Sequence, residues 1–509
     1  MPEPLPRGRN PFDEEGVRRD ESGLASYVGR PASLVELLHG SVERDSDAPA
    51  IVQLGGETLS YGELWERSAR VAGGLRESGV ARGDRVALRL PNGIDWVLAF
   101  FGVQLLGGVV VPVNTRFTEE EAAYVVNDSG AAFTFLPGQG LPDGSAHVEE
   151  SLGQDDLAAI FYTSGTTGFP KGAMTSHGNF LTNSENAFRC LSTDRSEGPG
   201  ISTLVSVPLF HVTGCNSQLI PVLELGGRVE ILTSPLDFDG FFRSVGEHGV
   251  NQLVSVPAIY HALVNHPRFS ELDVSRVRWV SYGGAPIATS LVERLMRAFP
   301  NARVGNGFGL TETSSLTSFL PHEEAAAHAD SVGFAMPVVD LALEEPDENG
   351  VGELLVRGPN VVQGYWQKPQ ATAEAFAEGW LHTGDLARVD PDGLLYIVDR
   401  KKDMINRGGE NVYCIEVENA LAGAPGVGEA AVVAVPDDMM GEKVGAVIVP
   451  MPGRQLDINA VLRHCREHLA GFKVPQYIAT REDPLPRNPG GKLLKKQLRE
   501  ETSWGRQLR

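Results

Sequence analysis

Short apolar runs rich in β-branched residues alternate with helix-period segments along most of this chain. Six of these runs are predicted to be strands: DRVALRL, LVSVPLF, RVEIL, QLVSVP, RVRWVSY and ARVGNGF. Such alternation is typical of α/β layering, in which helices connect largely parallel strands. The chain shows no repeat of fixed period, which argues against a solenoid. The sequence therefore predicts an α/β fold made of layered subdomains.

The pattern changes after about residue 335. Segments such as GELLVRGP and GWLHTGDLARVDPDGLLYIVDRKKDMI carry turn residues at a spacing of about eight to twelve positions, as small β-structures do. This indicates a small β-barrel-like unit that leads into a separate α+β C-terminal domain. The chain has 509 residues, too many for one compact core. The charged stretch Asp399 to Asp403 is the best candidate for the domain boundary.

Composition and charge exclude several classes of protein. Hydrophobic residues make up 42% and charged residues 22% of the chain, which is the balance of a globular protein rather than a disordered or fibrous one. The formal net charge of −22 would repel a nucleic-acid backbone, so no nucleic-acid partner is expected. The four cysteines are scattered without a CxxC pair, which argues against a zinc site or a disulfide framework and favours the cytoplasm.

Two segments bear on membranes and export. The first thirty residues contain no apolar core of signal-peptide length, and we expect a polar, disordered extension there. The apolar stretch 96–113 is interrupted by Gln104, the pair Gly107 and Gly108, and Pro112. We therefore expect a buried helix from Asp95 to Leu106 and a buried strand from Val109 to Val113 instead of an integral membrane span.

The segment FYTSGTTGFPKG, residues 161–172, is a candidate phosphate-binding loop. The apolar run LAAIFY precedes it, and a helix with Ser176 as its cap is expected after it, so we predict a strand-to-helix connection. Backbone N–H groups can converge on an anion in such a loop, hydroxyls can add donors, and Lys171 can add positive charge. A Walker loop would need Ser or Thr after the lysine, where this chain has Gly172. An ordinary glycine-rich turn remains the alternative.

Together with six further motifs, this loop resembles the signature of the adenylate-forming (ANL) superfamily of AMP-binding enzymes. That superfamily includes acyl-CoA synthetases, aryl-CoA ligases, luciferases and nonribosomal adenylation domains. The resemblance covers nearly the whole chain from about residue 34. The other motifs follow in the family's order: PLFHVTG (208–214), SYGGAPI (281–287), NGFGLTET (306–313), WLHTGD (380–385), YIVDRKKDMINRGGENVYCIEVE (396–418) and PRNPGGKLLKKQL (486–498).

The resemblance implies an ATP-dependent acid:CoA ligase, which uses ATP, Mg²⁺ and CoA. A carboxylic acid attacks the α-phosphorus of ATP to give an acyl-adenylate and pyrophosphate, and the CoA thiol then displaces AMP. The large domain is expected at 31–399, a hinge at 400–403 and a small mobile C-terminal domain at 404–509, after the polar extension at 1–30. In the family the small domain rotates between the two half-reactions.

The resemblance also assigns the nucleotide-binding residues. Thr311 would contact the α-phosphate and Glu312 would ligate Mg²⁺. Phe308 would stack on adenine, and small residues around it would form the walls of the slot. The residues implied for the outgoing phosphates are Thr163, Ser164, Gly165, Thr166, Thr167, Gly168 and Lys171. Those implied for the rest of the nucleotide slot are Gly283, Gly284, Ala285, Asn306, Gly307, Phe308 and Gly309.

Further roles are implied for the residues around and beyond the hinge. Asp385 would accept hydrogen bonds from both ribose hydroxyls, Arg400 would hold the same sugar, and Ile397 would line the nucleotide. Lys402 matches the pivot of the C-terminal domain. Lys492 is the implied catalytic lysine, which bridges the attacking carboxylate and the α-phosphate. The residues implied for CoA are Arg407, Gly408, Gly409 and Lys473.

The acid pocket is the least specific part of the resemblance. His211 matches a family position that lines or gates this pocket, although a lone histidine is also common in a structural role. The other candidate lining residues are Val212, Thr213, Val256, Pro257, Tyr260 and Gly307. Because these residues resemble any apolar core, fatty, aryl and bulky hydrophobic acids all remain open.

Three alternatives share the same nucleotide motifs. The enzyme could load its acid onto the phosphopantetheine of a carrier protein rather than onto CoA. It could be a luciferase-like oxygenase that oxidises its adenylate, or a nucleotide-binding protein without turnover. The expected partners are the small-molecule acid, ATP and CoA, with a carrier protein or a homodimer as further candidates.

Overall fold

The computed structural model describes residues 2–163, 170–234, 237–285, 287–487 and 493–508. The chain divides into two compact units, called unit 1 and unit 2 below. Unit 1 comprises Met1–Ala342, Leu355–His382 and Val389–Leu395. Unit 2 comprises Leu343–Leu354, Thr383–Arg388 and Tyr396–Arg509. The expected boundaries at residues 30, 399 and 403 stay predictions.

Helices and strands alternate through most of the described chain. The helices are α1 Leu34–Arg44, α2 Tyr61–Glu77, α3 Ile94–Leu106, α4 Glu119–Ser129, α5 His177–Leu191, α6 Val212–Gly214, α7 Ile220–Leu225, α8 Phe238–Phe242, α9 Pro257–Val264, α10 Thr289–Ala298, α11 His322–Ala325, α12 Pro369–Ala375, α13 Cys414–Ala422, α14 Ile458–His468 and α15 Lys495–Glu501. Short 3₁₀ turns lie at Arg195–Gly200, Phe269–Glu271, Thr311–Thr313 and Gly471–Lys473, and π-helical turns lie at Cys215–Leu219 and Arg243–Glu247.

All the strands of the described residues belong to five sheets. They are β1 Val17–Arg19, β2 Ala25–Tyr27, β3 Pro49–Gln53, β4 Thr58–Ser60, β5 Arg85–Leu88, β6 Val109–Pro112, β7 Phe133–Phe135, β8 Leu157–Thr163, β9 Lys171–Ser176, β10 Ser202–Val205, β11 Arg228–Ile231, β12 Gln252–Ser255, β13 Trp279–Gly283, β14 Arg303–Phe308, β15 Ser318–Leu320, β16 Phe334–Ala335, β17 Asp340–Glu344, β18 Gly352–Arg357, β19 Phe376–Ala377, β20 Trp380–Val389, β21 Leu395–Arg400, β22 Ile405–Arg407, β23 Glu410–Val412, β24 Val427–Asp437, β25 Gly441–Pro450 and β26 Tyr477–Thr480.

Unit 1 contains two large α/β sheets. The larger has the order β16-β15-β14-β13-β12-β10-β11-β3-β4, and its strands from β14 to β3 are all parallel. The smaller has the order β7-β5-β6-β8-β9, in which only β9 is antiparallel to its neighbour. All six runs predicted as strands form strands in these sheets. The predicted α/β class is confirmed.

The apolar stretch that resembled a membrane span is a buried helix followed by a buried strand. Helix α3 buries every residue except Asp95, and it ends at Gly107, which adopts a left-handed conformation with φ of 74°. The side chain of Gln104 donates from Nε2 to the carbonyl oxygen of Ala158 at 2.9 Å, which satisfies a polar group inside the apolar helix. None of the described helices is both long and apolar enough to cross a membrane.

Two further sheets follow residue 335, where the sequence predicted a small β-barrel-like unit and an α+β domain. One has the order β17-β18-β20-β19, and β21 also pairs with β20. The other lies in unit 2, with the order β23-β22-β25-β24 and β26 parallel to β25. Helices α13 and α14 pack on this last sheet through Val417, Leu421, Val461 and Leu462. Unit 2 therefore contains an α+β core of its own.

The N-terminal extension is polar, as expected, but the expectation of disorder is wrong. Strands β1 and β2 form an antiparallel hairpin. The guanidinium of Arg19 forms two hydrogen bonds with Asp340 at 2.9 and 3.0 Å. The guanidinium of Arg7 donates to the carbonyl oxygens of Val339, Ala335 and Met336 at 2.9 to 3.1 Å. Arginines that satisfy backbone and carboxylate oxygens of unit 1 order a segment that lacks an apolar core of its own.

We expect Arg7→Ala to destabilise this attachment. Three carbonyl oxygens in a partly buried setting would lose a charged donor, at a cost of about 1–3 kcal/mol. The variant should unfold at a lower denaturant concentration and be cleaved faster within residues 2–30. Arg18→Ala is the matched control, because Arg18 lies exposed on β1. Equal proteolysis of the two variants would contradict the attachment.

Candidate active site

Four neighbouring parallel strands of unit 1 direct their carboxyl ends to one edge of the large sheet. These strands are β10, β12, β13 and β14. Ligands in open α/β sheets bind at such an edge, because the loops that follow the strands meet there. Most of the predicted nucleotide and acid residues follow directly after these strands. They are 211–213 after β10, 256–260 after β12, 283–285 at and after β13, and 306–312 at and after β14.

The glycines of this edge serve different purposes. Gly283 lies opposite Gly307 in the register of β13 and β14, and a Cβ on Gly283 would stand only 2.3 Å from the carbonyl oxygen of Gly307. Its small size is therefore needed for strand packing. Gly284 has a φ of +76° and open space around it, since the nearest atom to a Cβ would be Val256 Cγ1 at 3.9 Å. Ala285, which follows, is exposed.

The turn that carries Thr311 and Glu312 has an unusual backbone. It is a single 3₁₀ turn directly after β14, and it is followed by Ser314 and Ser315 with φ of 52° and 112°. Non-glycine residues rarely adopt such angles, and strain of this kind persists only where the surroundings hold it. Thr311 and Glu312 themselves are half-buried.

Buried asparagines hold this turn in place. Asn216 donates from Nδ2 to the carbonyl oxygen and hydroxyl of Ser314 at 3.2 and 2.9 Å. Asn360 donates to the carbonyl oxygen of Leu316 at 3.0 Å, and the N–H of Leu316 donates to Asn183 Oδ1 at 2.9 Å. Sequence reasoning missed these residues. Each is a single asparagine in a mixed segment, where no local pattern reveals its partner.

Glu312 is linked to Lys171 through an aromatic ring. The hydroxyl of Tyr365 donates to Glu312 Oε1 at 2.7 Å. The ammonium of Lys171 lies 5.0 Å from the centroid of the same ring, within the range of a cation–π interaction. The structure therefore brings together the predicted Mg²⁺ ligand and the lysine of the phosphate loop. Tyr365, in the segment GYWQKP, was not predicted as a site residue.

The prediction of a strand-to-helix connection at the phosphate loop is wrong. Residues Lys171–Ser176 form β9, which pairs antiparallel with β8, so the loop joins two strands of a hairpin. Thr163 and Lys171 are partners in this register. The run KGAMTS is short and rich in small residues, and pairing with β8, which sequence patterns do not show, makes it a strand. Ser176 does cap helix α5, as predicted. The loop residues Ser164, Gly165, Thr166, Thr167 and Gly168 lie outside the described residues.

Both ends of the phosphate loop are held from outside the loop. Asp128 accepts hydrogen bonds from the hydroxyl of Tyr162 at 2.8 Å and from Lys368 Nζ at 2.6 Å. The hydroxyl of Tyr124 donates to the carbonyl oxygen of Pro170 at 3.3 Å. Helix α4 therefore positions the last part of β8 and the residue before β9. Sequence reasoning did not single out this group.

His211 lies at the amino end of the short helix α6. Burial, and secondarily the charge of Arg116, lowers the pKa of the imidazole to about 4, so this side chain is neutral at pH 7. Of the other predicted acid-pocket residues, Tyr260 is fully buried and donates its hydroxyl to the carbonyl oxygen of Ser281 at 3.0 Å. Tyr260 therefore contributes an apolar ring and its hydroxyl is already bonded. Val212 and Pro257 are buried, and Thr213 and Val256 are partly buried.

In unit 2 the structure brings Asp385 and Arg400 together. Nε of Arg400 lies 2.7 Å from Asp385 Oδ1, and its Nη1 donates to the carbonyl oxygen of Thr383 at 3.3 Å. Ile397 lies on β21, which pairs with β20, the strand that carries Asp385. Burial lowers the pKa of Lys402. Lys492 lies outside the described residues.

The residues predicted to bind CoA have acidic neighbours. Arg407 Nη1 lies 3.3 Å from Glu410 Oε2, and Lys473 Nζ donates to both carboxylate oxygens of Glu416 at 2.7 and 2.8 Å. Gly408 and Gly409 form the turn between β22 and β23. An anionic ligand would have to compete with these carboxylates for both cations. The assignment of these four residues to CoA stays a prediction.

Asp399 is a buried carboxylate of unit 2. Burial raises its pKa to about 6, against the opposing charge of Lys495 and hydrogen bonds from the N–H groups of Arg400 and Cys414. The side chain of Lys495 is paired with Glu418 at 2.8 Å. Sequence reasoning had used Asp399 only to mark a boundary.

We expect Asp399 to make the stability of unit 2 fall as pH rises from about 4 to 6. In this window the folded state retains a proton that the unfolded state, with its carboxyl pKa near 3.9, has already lost. Above pH 6 the buried charge of Asp399 lowers the free energy of unfolding by about 3 kcal/mol. Asp399→Asn should therefore gain stability relative to the wild type as pH rises from 4 to 7, measured as the difference between denaturant midpoints. Asp438→Asn, at an exposed position, is the control, and a difference for Asp399→Asn that does not change with pH would contradict the assignment.

Comparison with known proteins identifies the family. The model of the AMP-binding enzyme family matches residues 38–151 and 136–366, and that of the AMP-binding enzyme C-terminal domain matches 416–492. Feruloyl-CoA synthase of an Amycolatopsis species is 38% identical over 90% of this chain and 96% of its own length. The long-chain-fatty-acid–CoA ligase of Salmonella typhimurium is 34% identical over 93% of this chain and 95% of its own.

Solved structures give the same result. O-succinylbenzoate CoA synthetase from Bacillus subtilis, in complex with its acyl-adenylate intermediate, has a TM-score of 0.82 and 28% identity, covering 94% of this chain and all of that one. The same enzyme in complex with ATP and a magnesium ion also has a TM-score of 0.82, at 29% identity, with coverage of 91% and 98%. The resemblance inferred from the motifs is confirmed, and the chain belongs to the AMP-binding enzyme family.

Proposed function

We propose that this protein is an ATP-dependent acid:CoA ligase. A carboxylate oxygen of the acid attacks the α-phosphorus of ATP, the bond to the β-phosphate oxygen breaks, and pyrophosphate leaves. The thiolate of CoA then attacks the acyl carbonyl carbon, and AMP leaves with the electron pair of the broken anhydride bond. The products are the acyl-CoA thioester, AMP and pyrophosphate. Because ATP and CoA are the co-substrates, we place the reaction in the cytoplasm, which suits a chain whose four cysteines are free thiols.

The observation that carries this proposal is the group formed by Glu312, Tyr365 and Lys171. It places a carboxylate and an ammonium at the sheet edge where the candidate nucleotide and acid residues also lie. Adenylation needs cations to balance the triphosphate and a fixed geometry between acid and α-phosphate. Thr311, beside Glu312, would contact the α-phosphate, and Lys171 would contact the outgoing phosphates. The strained turn behind them is held by buried amides and would resist displacement.

Glu312 fits a magnesium ion. Its carboxylate is a hard oxygen ligand, and the Tyr365 hydroxyl orients one of the two oxygens. When bound, Mg²⁺ would neutralise part of the charge on the phosphates. The chain's own contribution is to hold the carboxylate in place before ATP binds.

For the acid we propose a hydrophobic monocarboxylate, either fatty, aryl or bulky. Among the described pocket candidates, Val212, Val256, Pro257 and the ring of Tyr260 are apolar, and His211 is neutral at pH 7. The relatives named above include a feruloyl-CoA synthase and a long-chain-fatty-acid–CoA ligase, so both aryl and fatty acids are candidates.

We also propose that residues 400–403 are a hinge with Lys402 as the pivot, and that 404–509 turns between the half-reactions. In this scheme Asp385, Arg400 and Ile397 would hold the nucleoside, and Arg407, Gly408, Gly409 and Lys473 would contact CoA. The motif from 396 to 418 supports the scheme, because it matches the family from the ribose contact to the thioester-forming loop.

A screen of acids tests the function. Purified protein with ATP and Mg²⁺ should release pyrophosphate with at least one fatty or aryl acid, and CoA should convert the bound adenylate to a thioester detectable by mass spectrometry. A parallel reaction with a holo-carrier protein in place of CoA tests the carrier-loading alternative. If pyrophosphate release depended on the acid but a thioester formed only on the carrier protein, CoA would not be the acceptor. Binding of ATP without pyrophosphate release for any acid would overturn the ligase.

Tyr365 gives a more specific test of the site. Tyr365→Phe keeps the ring beside Lys171 but removes the hydroxyl that orients Glu312. We expect the barrier to adenylation to rise by about 1.5 kcal/mol, which lowers the rate roughly tenfold, together with a weaker apparent affinity for Mg²⁺. Tyr477→Phe, in unit 2 beside Trp504, is the control. An unchanged Mg²⁺ dependence would show that Tyr365 does not position the metal ligand.

A further inference from the structure

The last turn of helix α14 displays three side chains that can bind a metal ion. His464, Glu467 and His468 each offer one ligand atom, and these atoms lie within 4.8 Å of one another. The two histidines are four residues apart and therefore stand on the same face of the helix. Their rings are stacked, with centroids 4.2 Å apart and an interplanar angle of 28°. Small rotations of exposed side chains would bring the three atoms to the spacing of a shared ligand set.

The ring of His468 is already oriented for metal binding. Its Nδ1 lies 2.8 Å from the carbonyl oxygen of His464. Because a carbonyl oxygen can only accept, Nδ1 must carry the proton and donate it, which leaves Nε2 with its lone pair for a metal. Metal-ligating histidines commonly donate their second ring nitrogen to a backbone carbonyl in this way.

The position on the helix favours a cation. The carboxyl end of a helix carries a partial negative charge, and a bound cation there is stabilised by it. Helix α14 is fixed in unit 2 through Val461, Leu462 and Cys465, which are buried. The ring of His464 lies close to Gly423, because a Cβ on Gly423 would stand only 3.1 Å from His464 Nε2. The missing side chain of this glycine leaves room for the ring. Both Gly423 and His468 are exposed, so solvent and ions can reach the site.

We propose that His464, Glu467 and His468 bind a divalent transition-metal ion of the zinc class. Two imidazoles and one carboxylate suit Zn²⁺, Cu²⁺ or Ni²⁺, whereas Mg²⁺ prefers oxygen ligands. The site is therefore distinct in chemistry from Glu312, and it lies outside every motif of the adenylation reaction. Three protein ligands leave one position of a tetrahedral zinc ion open to water. Bound metal would clamp the last turn of α14 and stabilise unit 2 by mass action.

Titration with Zn²⁺ tests the proposal. Full-length protein without a histidine tag, freed of metal by chelation, would be titrated by calorimetry in a buffer without Mg²⁺. We expect one equivalent of Zn²⁺ to depend on this cluster. His468→Ala should lower the affinity for this Zn²⁺ ion by about tenfold or more, and Glu467→Gln should lower it by a smaller factor. Arg466→Gln, on the same exposed turn but not a ligand, is the matched control and should bind as the wild type does.

Two further readouts decide the outcome. Co²⁺ in place of Zn²⁺ should give a visible absorption band in the wild type and in Arg466→Gln, and not in His468→Ala. Zn²⁺ should raise the unfolding temperature of the wild type more than that of His468→Ala, while ATP-dependent pyrophosphate release without Zn²⁺ stays the same in all variants. Equal Zn²⁺ affinity in the wild type and in His468→Ala would overturn the site. Loss of Zn²⁺ binding in the control Arg466→Gln would overturn it as well.

Discussion

Replacing Lys492 with methionine is expected to remove the first half-reaction and to leave the second largely intact. Negative charge builds on the attacking carboxylate and the α-phosphate during adenylation, and the resemblance assigns Lys492 to that charge. Loss of one such donor costs about 10²–10³ in rate. The measurement is single-turnover pyrophosphate release from acid and ATP, compared with thioester formation from supplied acyl-adenylate and CoA.

The described flanks of Lys492 explain why this variant should fold. Arg487 and Leu493 form an antiparallel bridge, and the N–H of Leu494 donates to the carbonyl oxygen of Pro486 at 2.9 Å. Leu493 packs against the buried core of unit 2 near Leu485. The ends of the segment are therefore fixed by contacts that do not use the lysine side chain.

Lys496→Met is the matched control for this prediction. Lys496 belongs to the same basic stretch, but its side chain is 82% exposed. We expect this variant to keep both half-reactions. If Lys492→Met and Lys496→Met had the same rates of pyrophosphate release, Lys492 would be only part of a solvated basic tail. If Lys492→Met slowed both half-reactions equally, its role would not be confined to adenylation.

The parts of the fold that could be predicted are those set by local sequence. Strands such as β5, β11 and β14 form from apolar β-branched runs. The helix Ile94–Leu106 forms from an apolar run of helical length that ends at a glycine. The strand Lys171–Ser176 could not be predicted, because its sequence is short and its partner β8 supplies the pairing. The ordered structure of the N-terminal extension could not be predicted either, because it depends on contacts with carbonyl oxygens of unit 1 that are distant in sequence.

The candidate site shows the same division. Residues such as Glu312 and Asp385 could be proposed because they stand in long motifs. The residues that hold them could not, because Tyr365 lies 53 positions from Glu312 and Asn216 lies 98 from Ser314. A single tyrosine or a buried asparagine has no local pattern that reveals its partner. These positioning contacts exist only once the sheet edge has formed.

Glu312→Gln is expected to have the second large effect on activity. The amide keeps the size of the side chain and still accepts a hydrogen bond from the Tyr365 hydroxyl, but it loses the negative charge that a magnesium ion needs. We expect pyrophosphate release to fall by about 10²–10³, with an apparent Mg²⁺ requirement shifted to higher concentration. The measurement is the initial rate over a range of Mg²⁺ concentrations at fixed ATP and acid.

Glu323→Gln provides the comparison for this variant. Glu323 lies on helix α11 of the same unit, where its exposed side chain pairs with Arg303 at 2.9 Å. It should keep the wild-type rate and Mg²⁺ dependence. Because Tyr365→Phe acts on the same carboxylate, the double variant with Glu312→Gln should be little slower than Glu312→Gln alone. Additive losses would instead mean that Tyr365 acts separately from Glu312, and an unchanged Mg²⁺ requirement in Glu312→Gln would remove Glu312 as the metal ligand.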